Sequence, residues 1–208
     1  PAGQPADDLS ALIRKGALLR NQKRPQEALA WMQDLNATHP GNPRILHELA
    51  LIWRQIGDRD ASLRFCDDLL ALDPQHRGAH LIRTEALMMR GQPFEAGLDA
   101  VETALRLFPD DLTLLTRKAT FLRGLQRPQE ALAWLRVLRA AHPGDARILY
   151  ELVLARRQIG DHDTSLHLCD ELLVLDPQHR GAHLIRTEAL MRAESFEVGL
   201  DAVETALR

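Results

Sequence analysis

The sequence nearly repeats itself after 103 residues. Residues 74–88 read PQHRGAHLIRTEALM, and residues 177–191 read the same fifteen letters. RPQEALAW occurs at 24–31 and again at 127–134, and AVETALR at 100–106 and 202–208. Each copy divides further, because prolines fall at Pro40, Pro74, Pro109, Pro143 and Pro177, spaced by 34, 35, 34 and 34 residues. A unit of that length cannot bury its apolar face alone and must stack on its neighbours. The repeat therefore predicts an all-α solenoid of about six repeats rather than a single globular core.

Within residues 9–42, Leu12, Gly16 and Leu19 are spaced by four and three, as are Ala28, Met32 and Leu35. That is the stripe of an amphipathic helix drawn twice. Pro25 between the stripes suits the first turn of a second helix, where its missing N–H would have no partner anyway. His39-Pro40 ends that helix, since the residue before proline is pushed out of the α region. The same frame fits 43–76, 77–111, 112–145, 146–179 and an incomplete 180–208, with 1–8 as a leader before one array over 9–208. It places Leu49, Cys66, Leu135, Leu138 and Cys169 inward. The third and sixth units are less regular: His80 and His183 take the large apolar position, and Gly97 and Gly199 the small site of the second helix. Leu200, Val203 and Leu207 stay on the stripe of the last unit, which predicts stacking on a further repeat or a second copy.

Composition excludes several classes. No apolar run approaches the roughly 20 residues that cross a bilayer, so no membrane insertion is expected. A net charge of −3 gives no case for nucleic acid. The two cysteines, Cys66 and Cys169, sit three repeats apart, too far for a disulfide, and read as small apolar side chains. That suits a reducing compartment and the cytoplasm. The opening PAGQPADDLS lacks the pattern of a signal peptide. With no initiator Met and an end inside a helical pattern, the chain reads as a piece of something longer, which leaves a periplasmic location open.

Chemistry-bearing motifs are missing. There is no GxSxG, no glycine-rich phosphate loop and no CxxC, so no enzyme activity and no cofactor are expected. His76 with His80, and His179 with His183, have the i,i+4 spacing of metal ligands. No glutamate of the HExxH kind lies between them and no third ligand recurs, so they read as packing histidines and no metal is expected. Asp67-Asp68 and Asp170-Glu171 read as solvated faces of second helices, and Trp31 and Trp134 as packing between repeats.

The period, the small sites at Gly16, Ala28, Ala50 and Ser62, the turn glycine Gly57 and the recurring prolines together resemble the tetratricopeptide repeat family, over nearly the whole of 9–208. The resemblance implies antiparallel helix pairs in a right-handed superhelix, with first helices lining a concave face that recognises proteins or peptides. In that geometry the inner positions hold Arg14, Arg20, Arg44, Arg54, Arg117, Arg123, Arg147, Arg157 and Arg192, with Tyr150. Against these nine arginines stand four glutamates, Glu48, Glu85, Glu151 and Glu188, a net of +5. A concave surface of one sign attracts the opposite charge, which points to an acidic ligand. The alternative is that these arginines only balance the nearby glutamates. The clamp by which some family members hold heat-shock chaperone tails is missing, since Ile13, Ala17, Thr116 and Thr120 stand where its lysine and asparagine would be. The expected function is a scaffold binding a protein or peptide. The other reading is a regulatory or substrate-presenting arm of a larger bacterial enzyme or exopolysaccharide export machine. An excess of arginine over lysine, 23 to 3, fits a GC-rich bacterial genome.

Overall fold

The computed structural model describes residues 5–90 and 93–189, and they form helices throughout. In chain order these are α1 (Pro5–Asn21), α2 (Pro25–Thr38), α3 (Pro43–Ile56), α4 (Arg59–Leu72), α5 (Arg77–Arg90) and α6 (Phe94–Leu107). They continue as α7 (Leu112–Gly124), α8 (Pro128–Ala141), α9 (Ala146–Gln158), α10 (His162–Leu175) and a helical stretch, α11, over 180–189. Helix pairs with short turns follow the frame read from the prolines. Helix α1 starts at Pro5, and the chain is described as two compact units, Pro1–Phe121 and Leu122–Arg208.

Local chemistry sets each boundary. Pro25 and Pro128 stand in the first turn of α2 and α8, as their spacing predicts. The side chains of Asn42, Asp58, Asp145 and Asp161 accept backbone N–H groups at the starts of α3, α4, α9 and α10. Such caps satisfy donors that a helix start leaves open. Gly57 closes α3 at φ 95°, a left-handed conformation that glycine adopts without a Cβ clash.

In the first unit α3 packs against α1 and α2, and α5 against α3 and α4. Ile13, Ala28, Met32, Leu35, Ile45, Leu49 and Ile52 make one core across the first two repeats, so the core lies between neighbours as a solenoid requires. In the second unit Leu135, Leu138, Leu152, Val153, Cys169 and Leu172 are buried. Both cysteines are free and buried. Burial, with Asp67 beside it, pushes the Cys66 thiol up to about 12, and burial also raises Cys169. Neither is a nucleophile near neutral pH. Leu200, Val203 and Leu207 lie outside the described residues.

Candidate functional site

The inner positions of the first helices form a ladder of ion pairs between successive repeats. In the first unit, Arg20 of α1 donates to Glu48 of α3 at 3.1 Å, and Arg54 of α3 to Glu85 of α5 at 3.1 Å. Arg117 of α7 reaches the same Glu85 at 3.0 Å from the other side. In the second unit, Arg123 donates to Glu151 at 3.1 Å and Arg157 to Glu188 at 2.5 Å. All four glutamates of the inner face are therefore held by arginines. In α1, α3, α7 and α9 an arginine near the helix end reaches a glutamate in the middle of the next first helix, 28 or 31 residues on.

Further bonds run beside the ladder. Gln55 Nε2 donates to the Arg20 carbonyl at 3.2 Å, and Gln158 Nε2 to that of Arg123 at 3.0 Å. Inside each pair, the Ser62 hydroxyl donates to the Ala50 carbonyl at 2.9 Å, and that of Ser165 to Val153 at 3.2 Å. Burial lowers the Arg117 guanidinium from its ordinary value while Glu85 opposes the shift.

The remaining inner residues are less constrained. Arg44 is exposed, with Nη1 donating to Ser10 Oγ at 2.9 Å. Arg147 folds back onto the cap carboxylate of Asp145 at 2.7 Å, and this hydrogen bond holds the Asp145 carboxyl below its usual range. Arg14 is exposed on α1, and Arg192 lies outside the described residues. Tyr150 is half-buried with its ring 4.6 Å from that of His179, so it packs against the start of α11. Ile13 and Thr116 are buried at 5% and 8%, which leaves no place for a ligand-holding side chain at those positions.

Beside two rungs of the ladder lie matching clefts. One, of 110 Å3, is bounded by Arg54, Arg59, Ser62, Glu85 and Met89. The other, of 190 Å3, is bounded by Arg157, His162, Ser165, Ile185 and Glu188. Arg54 and Arg157, Ser62 and Ser165, Glu85 and Glu188 are equivalent residues of the two copies.

The histidines have a role that their spacing did not announce. His76 Nδ1 accepts from the Ala79 N–H at 3.1 Å, and His179 Nδ1 from Ala182 at 3.1 Å, so they cap α5 and α11. His80 and His183 bond the carbonyls of Pro74 and Pro177 at 2.9 Å. Two further expectations gain detail. Asp67 and Asp170 face solvent and also hold Arg83 and Arg186 at 2.8 and 2.9 Å, which pins adjacent repeats. Trp31 packs against the core shared by the first two repeats, and its Nε1 also donates to the Leu12 carbonyl of its own pair at 2.9 Å, with the Lys15 ammonium over its ring.

A family profile described as tetratricopeptide repeat matches residues 85–146. Solved structures extend the match at the level of fold. A tetratricopeptide repeat protein of Parabacteroides merdae superposes with a TM-score of 0.80 at 18% identity, over 93% of this chain and 75% of that one. Residues 85–146 match the tetratricopeptide repeat family, and the chain has the fold of a tetratricopeptide repeat protein. MamA of Desulfovibrio magneticus has the same fold, with a TM-score of 0.73 at 16% identity over 84% and 98% of the two chains. So does a tetratricopeptide repeat protein of Thermus thermophilus, at 0.67 and 21% over 88% and 99%. Protein FlbA of Caulobacter vibrioides is 31% identical over 163 residues, which are 78% of this chain. The tetratricopeptide chain spans 27% of the length of that relative. No described helix is long and apolar enough to cross a membrane.

Proposed function

We propose that this tetratricopeptide array is a non-catalytic scaffold that holds a protein or peptide against the inner faces of its first helices. The twin clefts at Arg54–Glu85 and Arg157–Glu188 carry this reading. Their volumes fall below the roughly 300–1,000 Å3 of small-molecule pockets, so they suit single side chains of a longer ligand. A ligand with the same short motif twice would use both, and linked weak contacts raise avidity without new chemistry. An acidic side chain entering either cleft would exchange with Glu85 or Glu188 for the guanidinium, which favours carboxylate over a neutral group. Arg44 and Arg147 are the exposed cations nearby in sequence that would steer such a ligand. By its sequence spacing alone, the stripe of Leu200, Val203 and Leu207 would suit a further repeat or a second copy. A cytoplasmic location fits the two free cysteines.

The test replaces Arg54 and Arg157 with glutamate and compares partners captured from lysate of the source cell across a salt series. Loss of partners whose capture weakens with salt is the expected result. The same partners with the same salt dependence would show that the arginines serve only the ladder. The share of FlbA that the chain spans supports a second reading, an arm of a larger bacterial enzyme or exopolysaccharide export machine.

A further inference from the structure

The twin clefts share a plan but not a charge. Among the described residues that bound the first, two cations, Arg54 and Arg59, stand against one anion, Glu85. Around the second, one cation, Arg157, stands against two anions, Asp163 and Glu188. His162 takes the position that Arg59 holds in the other copy. With that imidazole neutral, the first lining sums to +1 and the second to −1.

Both guanidiniums of the first cleft have donors to offer. Arg59 is exposed at the start of α4, and its side chain has no hydrogen-bond or ion-pair partner among the described residues. Arg54 gives Glu85 one hydrogen bond, from Nη1 at 3.1 Å, out of the five N–H donors a guanidinium carries. Glu85 does not depend on that bond, because its Oε2 also accepts from Arg117 Nη2 at 3.0 Å. Arg117 is fixed in turn. Its side chain is only 12% exposed, and its Nη1 donates to Thr84 Oγ1 at 2.7 Å and to the Leu81 carbonyl. When Arg54 turns from Glu85 to a ligand, the glutamate keeps a charged partner, so the exchange strands no half-buried carboxylate.

We propose that the first cleft is the primary anchor of the ligand, where Arg54 and Arg59 together grip one peptide carboxylate while Arg117 keeps Glu85 from competing for it. Two planar guanidinium forks supply more donors than the two carboxylate oxygens need, and a charge-assisted bond of this kind outlasts a neutral one. Ala86 and Met89 border the same cleft, so an apolar residue next to the acid is covered there. The second cleft takes the same group more weakly, because His162 replaces a permanent cation and Asp163 repels the ligand. A ligand that bears its motif twice engages the first cleft before the second. The assignment rests on the inner faces being a protein- or peptide-binding surface and names the group that binds and the residues that rank the two sites.

Nuclear magnetic resonance of the whole chain tests it, following the Nε–Hε signals of Arg54, Arg59 and Arg157 with defined probes. Acetyl-Glu-Leu-amide carries its carboxylate on a side chain, acetyl-Gln-Leu with a free end carries it at the terminus, and acetyl-Gln-Leu-amide has none. An acidic probe should shift Arg54 and Arg59 at lower concentration than Arg157, and the neutral probe should shift none of them. Whichever acidic probe binds identifies the source of the carboxylate, and binding by neither overturns the proposal. Arg59→Gln should weaken binding at Arg54 roughly two- to fivefold, the worth of one exposed ion pair. Glu85→Gln removes the competing charge yet keeps an oxygen for Arg117, and it should strengthen binding at Arg54. His162→Arg should raise the affinity read at Arg157 toward that of the first cleft. Neither gain can come from misfolding. Equal affinity at the two clefts in the unaltered chain, or a Glu85→Gln variant that binds no better, would overturn the ranking. Partners captured from lysate and lost on changing Arg54 and Arg157 to glutamate would then leave the scaffold reading standing without it.

Discussion

Where α3 carries Trp53, the matching helix α9 carries Arg156. The Trp53 Nε1 is buried without a hydrogen-bond partner, whereas the Arg156 guanidinium reaches the Asp161 carboxylate at 2.8 Å. His47, its ring 4.9 Å from His76, becomes Tyr150, 4.6 Å from His179, and Phe65 becomes Leu168. Yet a shared set of bonds beside the clefts is present in both copies: arginine to glutamate and glutamine to carbonyl between repeats, serine to carbonyl inside a pair, and the histidine cap. The difference teaches which positions are interchangeable. A filling residue needs only volume, which a neighbouring adjustment can restore, while a bond between helices needs two residues to change together.

Matched truncations would break that equivalence most forcefully. Leu69 and Leu172 are both fully buried, and changing either to alanine should cost about 2–5 kcal/mol through lost transfer energy and a cavity. Urea denaturation with amide exchange should show equal losses, each concentrated in the repeats beside the substitution. If Leu172→Ala leaves exchange unchanged, the second copy is not held as the first is.

The filled space between repeats should be less symmetrical. A Cβ on Gly78 would lie 2.9 Å from His47 Nε2, and one on Gly181 would lie 2.5 Å from the Tyr150 hydroxyl oxygen. Gly181→Ala should therefore destabilise more than Gly78→Ala, within about 1–3 kcal/mol for an overpacked site. Tyr150→His added to Gly181→Ala should return part of the loss, which thermal melts would detect.

The ladder should matter less to stability than its regularity suggests. The bridging side chains of Arg54 and Arg157 are 37% and 35% exposed, so each alanine variant should cost about 0.2–1 kcal/mol after solvent screening. Double-mutant cycles with Glu85 and Glu188 should give couplings of that size that shrink as salt rises. A much larger coupling would move these arginines from recognition to architecture.

Acid separates the copies most finely. Burial, and then the nearby His76, lowers the His47 pKa below the ordinary 6.5. Because the unfolded chain then binds the proton more readily, this contribution is complete above 6.5 and is lost as pH falls from there through the folded value. The first copy should lose stability on acidification through this route, and the second, with Tyr150, should not. Denaturation curves for His47→Tyr should show a smaller loss between neutral and mildly acid pH.

The proline period, the small sites and the stripe residues are legible in the sequence because they follow from helix geometry within one repeat. Asn42, Asp58, Asp145 and Asp161 are readable as caps for the same reason. His76 and His179 are not, since histidine seldom caps a helix and its spacing here suggests metal. The inner arginines are legible as a face, but not as a ladder. Arg20 and Glu48 lie 28 residues apart, and their pairing depends on how one repeat settles on the next.

Residues 74–88 and 177–191 are identical, so the surface of α4 meets the same side chains whichever copy arrives. Complementarity cannot choose between them, and the tether must. Docking the adjacent copy closes a loop of a few residues, whereas docking the distant one closes a loop of about a hundred. By loop-closure entropy the adjacent copy is favoured by about 2.5 kcal/mol. That preference belongs to a single covalent chain. Between unfolded chains at high concentration it vanishes, so the duplication that makes the repeats interchangeable also makes exchange of segments between molecules the characteristic error of refolding.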